Sequence, residues 1–358
     1  MLKILHIAPQ NYAGVPYDFY KMHNACGDES RIITLHKNPL NFPEDICLEL
    51  PLPNFSVAKN WRRKKMESIE VLSSNEAPFF QPKNILEKSY FILNDIFRRK
   101  IIEETIEKYS LNEYDVVHYD SGLDFYRNAK QALKWKKMGK KIVCCYYGSD
   151  LRIRGLIKEL DAISDLNITS EYDHLVLKKD LEYIFYPYDL SELPVKKKNQ
   201  SDRIKIVHSP TNRKYKGTEL ILSVIEKIRK ERKIEFILLE KMDRRKVLEI
   251  KSQCDICIDQ VGGTMGGTGY GKAGIETLAM GISTITNMTK EYEDWLPENP
   301  FVVANNADAL YMRLSELIRD EKYRNELGVQ GMNWVKKYHG YENVNHRLYE
   351  LYQKYQIV

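Results

Sequence analysis

No stretch of this 358-residue chain reaches 18 consecutive apolar residues, so nothing in it reads as a membrane-spanning helix. The Met-Leu-Lys start runs into an apolar strand too short and too early for a signal peptide, and a cytoplasmic protein is expected. Cysteine is scarce, with Cys144 and Cys145 adjacent in one strand and Cys26 and Cys47 scattered. Cys254 and Cys257 form a CxxC, but inside an apolar strand with no second pair or histidine cluster nearby, which argues against a zinc ribbon. An Asp-x-Asp motif is also lacking, and no metal site is expected. The net charge of +5 comes without an RNP, zinc-finger or helix-turn-helix signature, so nucleic acid is not an expected partner.

What is present is a globular composition, 43% apolar against 29% charged, on a chain long enough for two domains. Much of the positive charge is local. Lys59, Arg62, Arg63, Lys64 and Lys65 form one cluster and residues 97–100 (FRRK) another. Such runs are ordinarily solvated faces; Lys59–Lys65 is also the segment that would touch an acidic membrane surface, at the inner face.

Apolar strand-like runs alternate with helical periodicity along the chain, the mark of parallel βαβ units. Strands are expected at 2–8, 31–35, 45–50, 115–118 and 141–147, with a helix over 84–109 and another from about Asp124. Residues 56–74 read as a basic, exposed insertion. The polar stretch 191–202 is the best linker, and strands at 204–208, 234–239, 254–259, 282–286 and 301–303 follow. Helices are expected over 216–232 and 243–252, and three more begin at Ala307, Glu321 and Tyr341.

The most informative segment is 261–287, VGGTMGGTGYGKAGIETLAMGISTITN. A glycine-rich loop entering a helix can hold phosphate, because backbone N–H groups and the positive end of the helix dipole both face the ligand. As a P-loop it fails: Ala273 stands where GxxxxGK[ST] needs the hydroxyl that ligates magnesium. As a dinucleotide fingerprint, Gly269, Gly271 and Gly274 satisfy GxGxxG, but a long loop separates them from the preceding strand.

Gly271, Glu276, Ala279 and Gly281 match a third pattern, glycine, four residues, then Glu-x-x-Ala-x-Gly before a strand. It resembles the nucleotide-sugar site of the retaining, family 4-like GT-B glycosyltransferases. The resemblance implies two Rossmann-like domains facing across an interdomain cleft. The expected layout is an acceptor domain over 1–190, a linker over 191–202, a nucleotide-sugar-binding domain over 203–340, and a helix over 341–358 that packs back on the first domain. It implies a hexose-type sugar moved from a nucleoside diphosphate sugar (UDP- or GDP-linked) to a hydroxyl acceptor in a glycan, a lipid-linked molecule or a small molecule, as in cell-surface glycan assembly. No cofactor beyond the donor is implied.

Residue by residue, Glu276 is expected to accept hydrogen bonds from ribose hydroxyls, with Thr268, Gly269, Tyr270, Gly271 and Lys272 around the diphosphate. Arg213 and the Lys216-Gly217 pair match the cationic clamp in the turn after the first strand of the second domain. Residues 114–120, YDVVHYD, resemble a family strand end whose second histidine reaches the sugar; that position is Asp120 here, assigned as catalytic with Arg213 and Lys216. Gly14 matches a loop after the first strand, and Asp150, in YYGSDLR, a turn beside the ligand. A plain helix cap explains Asp150 equally well. The chain departs from the family at Thr268, where a glutamate is usual, at Asp120 and at Tyr147. Two other classes stay open: a GT-B nucleotide-sugar epimerase and a non-catalytic nucleotide-sugar-binding subunit.

Overall fold

The apolar runs pair as parallel strands in two separate sheets. In the computed structural model, which describes residues 1–38, 42–51, 76–82, 84–262 and 269–358, the chain divides into two units, Met1–Tyr188 with Tyr341–Val358, and Asp189–Gly340. The expected insertion at 56–74, its Lys59–Lys65 cluster and Thr268 lie outside the described residues.

The first unit holds β1 (Lys3–Ala8), β2 (Glu29–Thr34), β3 (Ile46–Cys47), β4 (Val116–Asp120), β5 (Lys141–Tyr146), β6 (Leu166–Thr169) and β7 (Leu181–Tyr183), in the order β3-β2-β1-β4-β5-β6-β7. Parallel strands covered on both faces are buried without alternation, as β4 is throughout and β5 is after Lys141. The core packs Leu5, Ile7, Val117, Tyr119, Trp135 and Ile142 among others, all fully buried. Helix Tyr341–Lys354 belongs to this unit and buries Val344, Leu348, Leu351 and Tyr352; Tyr349 donates to Asp28 at 2.6 Å.

The second unit holds β8 (Ile204–His208), β9 (Ile234–Leu238), β10 (Ile256–Ile258), β11 (Ser283–Thr286) and β12 (Val302–Val303), in the order β12-β11-β10-β8-β9. Its main core joins Ile206, Ile256, Ile258 and Ile285 to Ile221, Val224, Ile225 and Ile228 on helix Thr218–Arg229.

Four local expectations change. The helix placed from about Asp124 begins at Lys130, because the Asp124 carboxylate stands outside the helix and accepts the backbone N–H groups of Gln131 and Ala132 at 2.9 and 3.3 Å. The strand expected over 45–50 is regular only at Ile46–Cys47, although the Leu48 and Leu50 N–H groups still donate to the carbonyls of Thr34 and Leu35. The helix expected over 216–232 is two, Arg213–Lys216 and Thr218–Arg229, broken at Gly217, which adopts a left-handed conformation. Strand β6 was not anticipated: it is four residues long, and its Asn167 interrupts the apolar run.

Candidate functional site

In an open parallel sheet, ligands bind beyond the carboxyl ends of the strands, where the strand order reverses. In the second unit that point lies between β8, which leads to β9 on one side, and β10, which leads to β11 on the other. The segments leaving β8 and β10 meet there. Lys216, after β8, donates to Asp259 Oδ1 at 2.7 Å and to Gln260 Oε1 at 2.9 Å, both residues immediately after β10. The other oxygen of Asp259 accepts the backbone N–H of Gly271 at 2.9 Å. Gly271 caps helix Lys272–Ala279, so Lys216, Asp259 and the N-terminus of that helix converge. A Cβ on Gly271 would sit 3.2 Å from Lys216 Nζ, which is the close approach the glycine permits. Burial alone would raise the Asp259 carboxyl, but the Lys216 ammonium and the Gly271 N–H outweigh it and hold the group below the usual range.

His208 fixes this arrangement from beneath. Its Nδ1 lies 2.7 Å from the carbonyl of Ile258, which can only accept, so Nδ1 carries the proton and Nε2 accepts from Thr218 Oγ1 at 2.9 Å. The ring ties β8, β10 and the start of helix Thr218–Arg229 together, and burial lowers its pKa to about 4. Arg213, on the same turn as Lys216, is instead held by two carboxylates, Glu219 at 2.8 Å and Glu240 at 2.8 Å.

Glu276 lies on helix Lys272–Ala279 and is buried. Its Oε2 accepts from Lys251 Nζ at 2.7 Å, and Arg244 Nη2 lies 3.5 Å from Oε1. Lys251 is 1% exposed. Burial pushes the Glu276 carboxyl up, yet the Lys251 ammonium, with Arg244 and Lys272, holds it below its ordinary value. Lys251 is likewise driven down by burial, but Glu276, with Cys257 and Asp259 beside it, holds its pKa above the ordinary value. The pair is therefore ionised, a buried carboxylate with fixed cationic neighbours.

The remaining loop residues divide. Gly269 adopts φ +148°, and a Cβ there would meet Tyr292 Cε1 at 2.3 Å. Its carbonyl accepts from Thr286 Oγ1 at 3.2 Å. Tyr270 was expected beside the diphosphate, but its ring stacks on Phe301 at 4.7 Å and its hydroxyl lies 3.2 Å from His339 Nε2. Its side chain anchors the loop to an aromatic cluster. Lys272 opens the helix and adds positive charge near Glu276.

In the first unit the strand order reverses between β1 and β4, and the assigned residues sit at those strand ends. Gly14 precedes helix Val15–Ala25 in a left-handed conformation. Asp120 ends β4 and is fully buried: Oδ2 lies 3.0 Å from His6 Nδ1, and Oδ1 accepts from Tyr147 Oη at 2.5 Å. Both carboxylate oxygens are thus engaged within the unit; the strand is buried along its length, and the partly exposed partner is Tyr147. Asp150 accepts the backbone N–H groups of Tyr147, Gly148 and Leu151 at 2.7–2.9 Å, so its carboxylate shapes its own turn. A groove of about 820 Å³ in this unit, lined by Arg99, Tyr126 and Lys134 among others, contains none of these residues.

Three residues of the site escaped the reading of the sequence. Asp259 and Gln260 directly follow an apolar strand, and the rule for strand ends would have found them. Lys251 closes an amphipathic helix and gives no local sign of pairing with a residue 25 positions away.

No family model matches the sequence, and no curated protein matches it. Solved structures do. The catalytic domain of starch synthase IV from Arabidopsis thaliana, bound to ADP and acarbose, is similar with a TM-score of 0.63 and 13% identity over 99% of each chain. Sucrose-phosphate synthase from Thermosynechococcus elongatus gives 0.58 and 14% over 99% of each. HepE from Anabaena, in complex with UDP, gives 0.58 and 10% over 99% of this chain and all of its own. The chain has the GT-B fold. Each of its units is a Rossmann-like domain with an all-parallel sheet.

Proposed function

We propose that this protein is a glycosyltransferase that moves a hexose-type sugar from a nucleoside diphosphate sugar to a hydroxyl acceptor with retention of configuration, in cell-surface glycan or glycolipid assembly. The observation that carries the reading is the meeting of Lys216, Asp259 and the Gly271 N–H at the start of the helix that bears Glu276. A diphosphate placed there faces an ammonium, a helix N-terminus and a glycine backbone with no side chain in the way. The similar folds support it: HepE holds UDP and the starch synthase domain holds ADP.

In this reading the second unit binds the donor and the first is the acceptor side. Lys216 uses two of its three N–H groups on Asp259 and Gln260, which fix the ammonium where the diphosphate arrives. Arg213 leaves Glu219 or Glu240 to join it. The two cations stabilise the charge that builds on the departing diphosphate, a preorganised electrostatic effect. Glu276, positioned by Lys251, accepts from the ribose hydroxyls. The sugar passes through an oxocarbenium-like state and the acceptor attacks from the face the diphosphate leaves. Asp120 acts as a positioning residue through Tyr147.

The test is a screen of UDP- and GDP-hexoses against mixed hydroxyl acceptors, read by NMR of the product's anomeric proton. Transfer with retained configuration supports the proposal, and an inverted product contradicts the stereochemistry. The complete burial of Asp120 favours one second reading, a non-catalytic nucleotide-sugar-binding subunit; nucleotide binding with no loss of any donor would select it.

A further inference from the structure

Three histidines of the first unit take no part in the chemistry above, yet they share one buried site. His6 on β1 and His118 on β4 are register partners across the sheet, and His23 comes from helix Val15–Ala25. All three are 0% exposed, with ring centroids 4.6 Å apart for His6–His118, 5.4 Å for His6–His23 and 5.7 Å for His23–His118.

Their hydrogen bonding is incomplete in a patterned way. His6 Nδ1 lies 3.0 Å from the Asp120 carboxylate, which can only accept, so the proton is on Nδ1 and Nε2 presents a lone pair. Among the described residues, that Nε2 has no partner and neither nitrogen of His23 has a hydrogen bond. His23 Nδ1 lies 3.9 Å from a second carboxylate, Asp28 Oδ2. His118 pairs with the Tyr352 hydroxyl through Nε2, and its Nδ1 lies 3.4 Å from Cys145 Sγ. A buried polar atom without a partner costs about 1–3 kcal/mol, and native interiors satisfy nearly all of them. An ion facing the cluster would take His6 Nε2 and one nitrogen of His23, and a nitrogen of His118 in place of its Tyr352 or Cys145 contact.

We propose that His6, His23 and His118 bind a single divalent transition-metal ion of the zinc class, with a structural role. One nitrogen from each ring lies within 4.8 Å of one nitrogen from each of the others. An ion centred in a triangle of that side is about 2.8 Å from each nitrogen, so each ring need move by no more than about 0.7 Å to reach the usual Zn–N distance of ~2.1 Å. Neutral imidazoles are the ligands such ions select, and all three rings are fully buried. Asp120 behind His6 makes the carboxylate–histidine–metal relay that orients a ligating ring, and Asp28 stands behind His23. The two carboxylates also offset the charge of the ion. Bound there, the ion ties β1, β4 and helix Val15–Ala25 together.

The full-length chain is stripped with a chelator and titrated with cobalt and with zinc. The expected result is one equivalent bound per chain, visible d–d bands of a low-coordinate cobalt site, and a higher thermal midpoint. His23→Gln is expected to weaken cobalt binding at least 100-fold, while substitution of the exposed His346 by Gln leaves it unchanged. X-ray absorption on the wild-type zinc protein needs no variant and decides the matter if His23→Gln fails to fold: a first shell with three imidazoles is expected. Less than stoichiometric binding, binding retained in a folded His23→Gln, or an oxygen-dominated shell overturns the proposal.

Discussion

Lys251 and Glu276 form an ion pair at 2.7 Å in which both side chains are less than a tenth exposed. Removing one partner of such a pair leaves the other charged and buried, which costs about 3–5 kcal/mol. Lys251→Met is therefore expected to lower stability by that order in denaturant titrations. The double variant Lys251→Met with Glu276→Gln should recover most of the loss, because neither change then strands a charge. Additive losses would mean the two groups do not depend on each other.

Lys216 and Arg213 both belong to the proposed clamp but are held differently. Lys216 is fixed against Asp259 and the Gly271 backbone, whereas Arg213 must first give up Glu219 or Glu240. Lys216→Ala is expected to weaken nucleoside diphosphate binding about 10- to 100-fold, the loss of a charge-assisted contact, and Arg213→Ala by less. Isothermal titration of the two variants checks the order. A larger loss at Arg213 would place the anion elsewhere on the turn.

Burial pushes the Asp124 carboxyl up to about 7, only partly offset by the backbone N–H groups it accepts. The folded pKa lies above the unfolded one, so the folded state holds the proton more tightly. The stability this contributes is complete below about pH 4 and is lost as the pH rises through about 7, a change on the order of 4 kcal/mol. Asp124→Asn, which still accepts a backbone N–H, should flatten the fall in thermal midpoint between pH 5 and pH 8. An unchanged slope would assign that pH dependence to other groups.

Gly269→Ala tests the loop that precedes the helix. At φ +148°, with Tyr292 Cε1 at 2.3 Å from the added Cβ, the ring must leave its place beside Tyr270. A loss of about 1–3 kcal/mol is expected in thermal unfolding, with weaker nucleotide binding. A variant as stable as the wild type would show that the loop is not seated on Tyr292.

The sheets were legible because strand-like runs alternated with helical periodicity, and the glycine loop ahead of Glu276 could be placed on a helix N-terminus from spacing alone. What lay beyond reach was the state of each side chain. Asp120 matched a strand-end motif, but a parallel strand buried on both faces carries no alternation to tell an inward carboxylate from one at a ligand. Lys251 closes an amphipathic helix with nothing local to mark it as buried, and its burial depends on a partner from another helix. Tyr270 sat among glycines that suggested a ligand, whereas its ring is taken up by Phe301, contributed from far along the chain.

Calorimetric titration of the wild type and Glu276→Gln with UDP, GDP, ADP and NAD tests the central claim most directly, with each protein first shown to be folded by thermal unfolding. The account predicts that one nucleoside diphosphate binds selectively to the wild type and at least tenfold more weakly to the variant. Binding of NAD alone, or of none of the four, would contradict a nucleotide-sugar site at Lys216, Gly271 and Glu276.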